Sequence, residues 1–414
     1  MYRLTPYLFF TLVIVLIDVY AWQGIRVLLT NSSPVWRRGV ATAYWMVPVL
    51  AICMLVAGSF YNVSKWSDWL RIYGVAAVVL LYICKFVTLP FLMIDDVVRV
   101  FRWIGSLLTK KENSVPFSGS RLKFLVYTGL FVGGVLGANL LYGMIRNAYR
   151  YTLHRVRVPI KDLPEAFVGM KIVQISDIHS GSFIRTKPIE EAVERINRLN
   201  PDLILFTGDL VNNIATEIDP FKEIFGKLKA PLGVYSIMGN HDYGDYYNWE
   251  HAGEKEANLR RLHQAHADMG WKLMLNEHTT IEHNGDSFAL IGVENWGAKA
   301  HFAKYGDLKK AYAGSEQAKL KILMSHDPSH WDAQVKPDHP DIQLTLSGHT
   351  HGFQFGIEIP GLKWSPSQYV YKEWAGLYRA GDQNLYVNRG FGFLGYPGRV
   401  GILPEITLLE LEKA

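Results

Sequence analysis

The sequence predicts two domains of different class: an all-α membrane domain of four transmembrane helices at residues 1–145 and, after a linker at 146–163, an α/β domain at 164–414. Three observations carry this reading. Long uncharged runs fill the first third, short apolar runs alternate with helix-like segments in the remainder, and charge and histidine are unequally shared between the two. Residues 1–145 hold 13 Lys or Arg and 5 Asp or Glu, net +8, whereas the remaining 269 hold 30 and 33, net −3. All 14 histidines follow residue 145 and both cysteines precede it. A basic balance confined to a charge-poor third argues against nucleic-acid binding, which needs basic side chains clustered on a folded surface.

The four spans are read in order at 8–29, 39–64, 72–94 and 124–145. At 1.5 Å per residue each crosses a hydrocarbon core of about 30 Å. The second and fourth carry no charge; the first contains Asp18 and Arg26, and the third Lys85. Charge at membrane depth must pair, snorkel or line a polar interior, and an interhelical structural pair is expected for Asp18 and Lys85, with no second polar cluster to form a pathway. Cys53 and Cys84 lie inside apolar runs, which excludes a disulfide framework. The loops expected on one side carry Arg37, Arg38, Arg99, Arg102, Lys110, Lys111, Arg121 and Lys123, against Arg3, Lys65 and Arg71 on the other. With the flank of the long C-terminal domain discounted, this bias places the α/β domain outside the cytoplasm.

In that domain KIVQIS at 171–176, LILFT at 203–207 and VYSIM at 234–238 read as strands. Helices are expected between them, one entered at Thr186 with Pro188 in its first turn and one covering 220–229. Such βαβαβ order with short connections implies parallel pairing. A helix at 254–269, a hairpin at 279–292 turning at HNGD, and strands at 321–324 and 342–346 follow; the chain from 385 returns to short β-like runs.

Five of these strands are followed at once by residues able to bind a cation: SDIHSG from Ser176, TGDL from Thr207, GNHD from Gly239, SHDP from Ser325 and SGHTHG from Ser347. Open α/β sheets place their sites outside the carboxyl ends of strands. Asp177 and His179, and likewise His349 and His351, are two apart, a spacing that puts both side chains on one face of an extended chain. Carboxylate, imidazole and amide donors without thiolate suit Mn, Fe, Zn or Mg. Singly each string is weak, because Asp caps turns and His is often solvated; in this order they are specific.

The series DxH, GD, GNHD, H and GHxH resembles the calcineurin-like metallophosphoesterase superfamily, over about 156–411, and the tail NRGFGFLGYPGRVGILPEITLLEL is similar to its membrane-attached bacterial branch. The resemblance implies a four-layer αββα sandwich of two mixed sheets around two divalent ions. It implies Asp177, His179 and His351 as ligands of the first ion, Asn240, His326 and His349 of the second, and Asp209 as the bridge. His241 would face the scissile phosphate, with Asp242 either orienting it or capping the turn. A water bridging the ions, deprotonated near neutral pH, would attack in line. One departure is visible, Phe353 where a second glycine is usual; Glu294 in GVENWG keeps the acidic residue often found in relatives, and no role is assigned to it.

His251, His263, His266, His278, His283, His301, His330 and His339 are expected to be solvated or structural, with His330 retained as a pocket residue. Arg389 and Arg399 are expected in surface packing and salt bridges, with phosphate contact as the alternative. Trp364, Tyr369, Tyr371, Trp374, Tyr378, Phe391, Phe393 and Tyr396 are expected to pack a second sheet, with a lipid-facing rim as the alternative. The function expected is a membrane-bound phosphoesterase acting on phosphate mono- or diesters, on lipid or cell-envelope substrates. The alternatives are a pyrophosphatase of nucleotide-diphosphate-linked acyl sugars and a non-catalytic scaffold.

Overall fold

The computed structural model describes residues 5–61, 66, 67, 69–109, 119–299 and 302–414; Arg3, Lys65, Lys110, Lys111 and His301 lie outside the described residues. The chain divides into two compact units, 1–142 and 143–414.

In the first, α1 spans Thr5–Leu28, α2 Pro34–Phe60, α3 Val75–Thr109 and α4 Gly119–Ile145, and a π-turn at Leu70–Gly74 leads into α3. All four are long and apolar enough to cross a membrane. The start of α2 is set locally: Ser33 Oγ accepts the Trp36 N–H and Pro34 occupies the first turn, where its missing N–H costs nothing. α3 runs beyond its expected end at 94, so Arg99 and Arg102 are helical and not in a loop. The extension is held by Arg99, whose Nε lies 3.1 Å from Asp95 Oδ2 one turn earlier.

Asp18 is fully buried and pairs with Lys85, while Tyr82 Oη donates to Asp18 Oδ2 at 2.6 Å. This is the interhelical pair expected. A second polar cluster, contrary to expectation, joins α3 to its neighbours: Arg121 Nε donates to Asp95 Oδ1 at 2.8 Å and Tyr20 Oη to Asp96 Oδ2 at 2.6 Å. Cys53 and Cys84 are free thiols.

In the second unit the strands are β1 Thr152–Ile160, β2 Lys171–Ile175, β3 Leu203–Phe206, β4 Val234–Ser236, β5 Lys272–Leu273, β6 Glu277–His283, β7 Asp286–Gly292, β8 Lys321–Met324, β9 Leu344–Ser347, β10 Ile357–Ile359, β11 Leu362–Trp364, β12 Gly376–Ala380, β13 Gln383–Val387 and β14 Glu405–Lys413. They form one sheet in the order β1-β14-β2-β3-β4-β5, a second in the order β12-β13-β9-β8-β7-β6, and the small hairpin β10-β11. β2, β3 and β4 are mutually parallel, as the βαβαβ reading requires, and so are β7, β8 and β9. Half of the 146–163 segment expected as a linker is strand: β1 pairs in parallel with β14 along nine residues. That pairing joins residues some 250 apart in sequence, and no local pattern announces it.

Side chains alternate across the first sheet. Ile172, Leu203 and Leu205 point to the layer shared with Phe288, Leu290, Ile322, Met324, Leu344 and Leu346 of the second sheet. Val173, Ile204 and Phe206 point the other way, onto Ile189, Val193 and Ile196 of α5 (Lys187–Asn197), Phe225 of α6 (Lys222–Phe225) and Leu262 of α7 (Glu254–Asp268). The far face of the second sheet packs on Leu308 and Ala311 of α8 (Leu308–Tyr312) and on Trp331. The layers therefore run helix, sheet, sheet, helix. Each such buried side chain contributes roughly 1.5–3 kcal/mol on leaving water.

Details of the local reading vary. Thr186 precedes α5 but its side chain makes no capping bond, and the helix expected over 220–229 is a single turn. The HNGD hairpin forms as expected, with His283 opposite Asp286 and positive φ at both Asn284 and Gly285, the twist a two-residue turn demands.

Candidate metal centre

Every residue expected at the site follows directly on a strand of this sandwich. Asp177 and His179 follow β2, Asp209 follows β3, Asn240 to Asp242 follow β4, His326 follows β8, and His349 and His351 follow β9. The turns that aim them are strained: Asp177, His179, Asp209, His349 and His351 all have φ between 48° and 71°. Non-glycine residues occupy this left-handed region at a cost and persist there only where the surroundings fix them. Gly239 and Gly348 leave room for that approach, since a Cβ at either would collide with the Asp209 or Asp177 carboxylate.

The side chains converge in two groups, Asp177 with His179 and His351, and Asp209 with His326 and His349; within each, donor atoms lie within 4.8 Å of one another. Asp209 stands between the two. Its Oδ2 is 3.1 Å from His326 Nε2 and 3.5 Å from His179 Nε2. His179 Nε2 and His351 Nε2 are 3.0 Å apart, and Asn240 Oδ1 is 2.9 Å from His349 Nδ1. The His241 backbone N–H donates to Asp209 Oδ1 at 2.8 Å, its ring Nδ1 lies 2.7 Å from the Asn212 carbonyl, and its ring packs edge-on against His179.

Comparison with known proteins gives the family. The family described as "Probable Calcineurin-like phosphoesterase, transmembrane domain" matches residues 3–148, and "Calcineurin-like phosphoesterase" matches 170–353. A Bacillus subtilis protein described as "Uncharacterized metallophosphoesterase YkuE" is 31% identical over 71% of this chain and 98% of its own length. The chain belongs to the calcineurin-like metallophosphoesterase family. A zebrafish (Danio rerio) "Transmembrane protein with metallophosphoesterase domain" is 28% identical over 100% of this chain and 90% of its own length. A Chlamydia muridarum "UDP-2,3-diacylglucosamine pyrophosphatase LpxG" is 28% identical over 56% of this chain and 81% of its own length. This metallophosphoesterase is thus a multi-pass membrane protein and a phosphoric ester hydrolase.

The family uses divalent metals, and the donor set of this phosphoesterase suits them. His326 Nδ1 is 2.7 Å from the Thr207 carbonyl, which leaves Nε2, 3.1 Å from the Asp209 carboxylate, as the nitrogen that faces the ion site. Burial holds the His179 pKa down to about 3 and pulls His349 and His351 down as well, so these imidazoles are neutral, the form that binds a cation. Burial opposes the charged forms of both Asp209 and His326, but their mutual attraction outweighs it: the His326 pKa rises to about 10 and the Asp209 carboxyl is held well below the usual carboxylate range, so a cation at His326 must displace a proton.

Other expectations for the phosphoesterase site need correction. Asp242 does not orient His241: its carboxylate accepts backbone N–H bonds from Asp209, Leu210, Val211 and Gly239, at 2.8–3.2 Å, and so holds two ligand-bearing loops together. The Asn212 carbonyl takes the orienting position instead. Arg389 and Arg399 are buried, not on the surface; Arg389 pairs with Glu405, and Arg399 donates to the backbone carbonyls of Arg389, Gly390 and His351. His330 is also buried, tied to Ser325 and Gln334. Glu294 accepts from Tyr243 Oη and Asn276 Nδ2, a scaffold contact. Trp374, Phe391 and Phe393 are buried, but not against the second sheet as expected: Phe391 and Phe393 join the core between the first sheet and its helices, Trp374 packs with Ile402, and Tyr369 is exposed. Two site neighbours escaped the sequence: Tyr371 Oη, 2.8 Å from His349 Nε2, and Tyr246 Oη, which accepts from Asn240 Nδ2 at 2.9 Å. Tyr371 sits in the aromatic run, but nothing in its spacing marks it.

Proposed function

We propose that this protein hydrolyses phosphate mono- or diesters of lipid or cell-envelope origin with two divalent ions, and that its catalytic domain faces away from the cytoplasm. The observation that carries the two-metal reading is the Asp209 carboxylate, shared between two imidazole–carboxylate groups. Asp177, His179 and His351 would hold one ion, Asn240, His326 and His349 the other, and Asp209 both. When bound, such ions supply Lewis acidity toward the phosphate oxygens and a hydroxide nucleophile near neutral pH.

The chain's own residues do the rest. The Asn212 carbonyl accepts a hydrogen bond from His241 Nδ1 and so fixes the ring, whose other nitrogen would donate to the leaving oxygen and offset transition-state charge. The Asp242 carboxylate fixes the loops on which Asp209 and Asn240 ride.

Purified full-length protein should hydrolyse members of a lipid, nucleotide and envelope phosphate panel with Mn, Fe, Zn or Mg. Asp209→Asn should lower metal content, and His241→Ala should cost roughly 10²–10⁴ in kcat, the range for a general acid. A full panel with no metal-dependent turnover would refute the enzymatic reading.

A second reading, cleavage of a nucleotide-diphosphate-linked acyl sugar, draws support from the chlamydial relative. It requires a cytoplasmic domain, so cysteine accessibility of the domain in intact cells separates the two.

A further inference from the structure

The β10–β11 hairpin is amphipathic in the wrong sense for a soluble protein. Its register sets Ile357 opposite Trp364 and Ile359 opposite Leu362, so these four apolar side chains share one face. That face looks outward, with Ile357, Ile359 and Leu362 at 44, 58 and 49% exposure. The opposite face carries Glu358 and Lys363, and it is the charged face that turns inward. Glu358 pairs with the buried Arg389, and Lys363 Nζ donates to the Ala375 carbonyl and lies 4.6 Å from the Trp374 ring. The Glu358–Arg389 ion pair and the Lys363–Ala375 hydrogen bond therefore anchor the hairpin through its charged face and leave its hydrophobic side in water, where β pattern and burial ordinarily demand the reverse. Phe353, Tyr369 and Val370 lie on the segments flanking the hairpin and are exposed too.

The occupant of this face follows from what adjoins it. Gly356, next to Ile357, donates its N–H to the Val400 carbonyl at 2.9 Å, and the neighbouring Arg399 N–H donates to the carbonyl of Gly143 at 3.3 Å. Gly143 is in the last turn of α4, a helix apolar enough to cross a membrane. The hairpin thus adjoins the point at which the chain leaves the bilayer. We infer that the outward face of β10–β11, with Phe353, Tyr369 and Val370, is seated in the interfacial layer of the lipid bilayer. Aliphatic side chains would enter the acyl boundary while the aromatic ring and hydroxyl of Tyr369 remain at headgroup level. The loop that supplies His351 runs straight into Phe353, so seating this face brings the metal centre to the level of lipid phosphates.

The test uses full-length protein in phosphatidylglycerol–phosphatidylcholine vesicles, with Cys53 and Cys84 replaced by Ala and one environment-sensitive fluorophore per variant. Labels go on Leu362→Cys and, independently, on Val370→Cys; both sites are exposed, so labelling leaves the core intact. Lys319→Cys, just before the amino end of β8 and so at the end of the sheet away from the metal centre, is the control. The expected result is a blue-shifted emission at both hairpin sites, severalfold stronger quenching by brominated acyl chains than at 319, and weaker quenching by aqueous iodide. Iodide quenching equal to that at 319 would overturn the inference. Protection from iodide without quenching by brominated lipid would also overturn it, because the face would then be covered by protein. Neither readout depends on catalytic activity.

Discussion

The buried guanidinium of Arg399 donates to the His351 carbonyl at 3.0 Å and lies 3.3 Å from the Nδ1 of the same residue. One side chain therefore fixes both the strained backbone and the ring of His351. Burial lowers the Arg399 pKa to about 10, which leaves it charged at neutral pH. Arg399→Gln should keep the fold and weaken divalent-metal affinity about 10- to 100-fold, the usual cost of losing a residue that orients a ligand. Metal titration by calorimetry checks this; unchanged affinity would assign Arg399 to the loop alone.

Asp242 and His241, adjacent in sequence, should separate cleanly. Asp242→Ala removes the acceptor of four buried N–H groups, and each group left unsatisfied costs about 1–3 kcal/mol, so the variant should lose much of its thermal stability. His241→Ala should lose turnover and keep its melting temperature. If both lose activity alone, Asp242 acts on chemistry after all.

This contrast shows where reading a sequence stops. Asp177 and His179, or His349 and His351, are legible because each pair follows a strand at a spacing that sets a common face. The left-handed φ of these residues is not legible, since nothing marks Asp or His for a conformation natural to glycine. Strands β2 to β4 announce themselves as apolar runs, whereas β1 is recognisable only through its distant partner β14. The burial of Arg399 is illegible for a related reason. A charge in a glycine-rich tail implies solvent until tertiary structure surrounds it with carbonyls.

Stability should fall with acidification through His266. This residue lies on the buried face of α7, its Nδ1 3.0 Å from Ser236 Oγ, and burial lowers its pKa from 6.5 to about 3. Below pH 6.5 the unfolded chain binds a proton that the folded chain refuses, so unfolding becomes easier as pH falls and the contribution is complete above 6.5. The loss approaches about 1.4 kcal/mol per pH unit between 6.5 and the folded value. Denaturant unfolding across this window should show a shallower slope for His266→Leu; an identical slope would assign the acid sensitivity to other groups.

Asp18 and Lys85 test whether the membrane unit uses its charge for function or for assembly. Lys85→Met leaves the buried Asp18 without its partner between the helices, and breaking a buried pair from one side costs about 3–5 kcal/mol. Asp18→Asn combined with Lys85→Met removes both charges, while the amide can still receive the Tyr82 hydroxyl, so most of that loss should be recovered. A structural pair therefore predicts a strongly coupled double-mutant cycle in thermal stability, with hydrolysis of a soluble phosphate ester unchanged in the double variant. If the double variant is as stable as wild type but inactive, the pair belongs to a working polar path instead, one that would include the Asp95–Arg121 and Tyr20–Asp96 contacts further along α3.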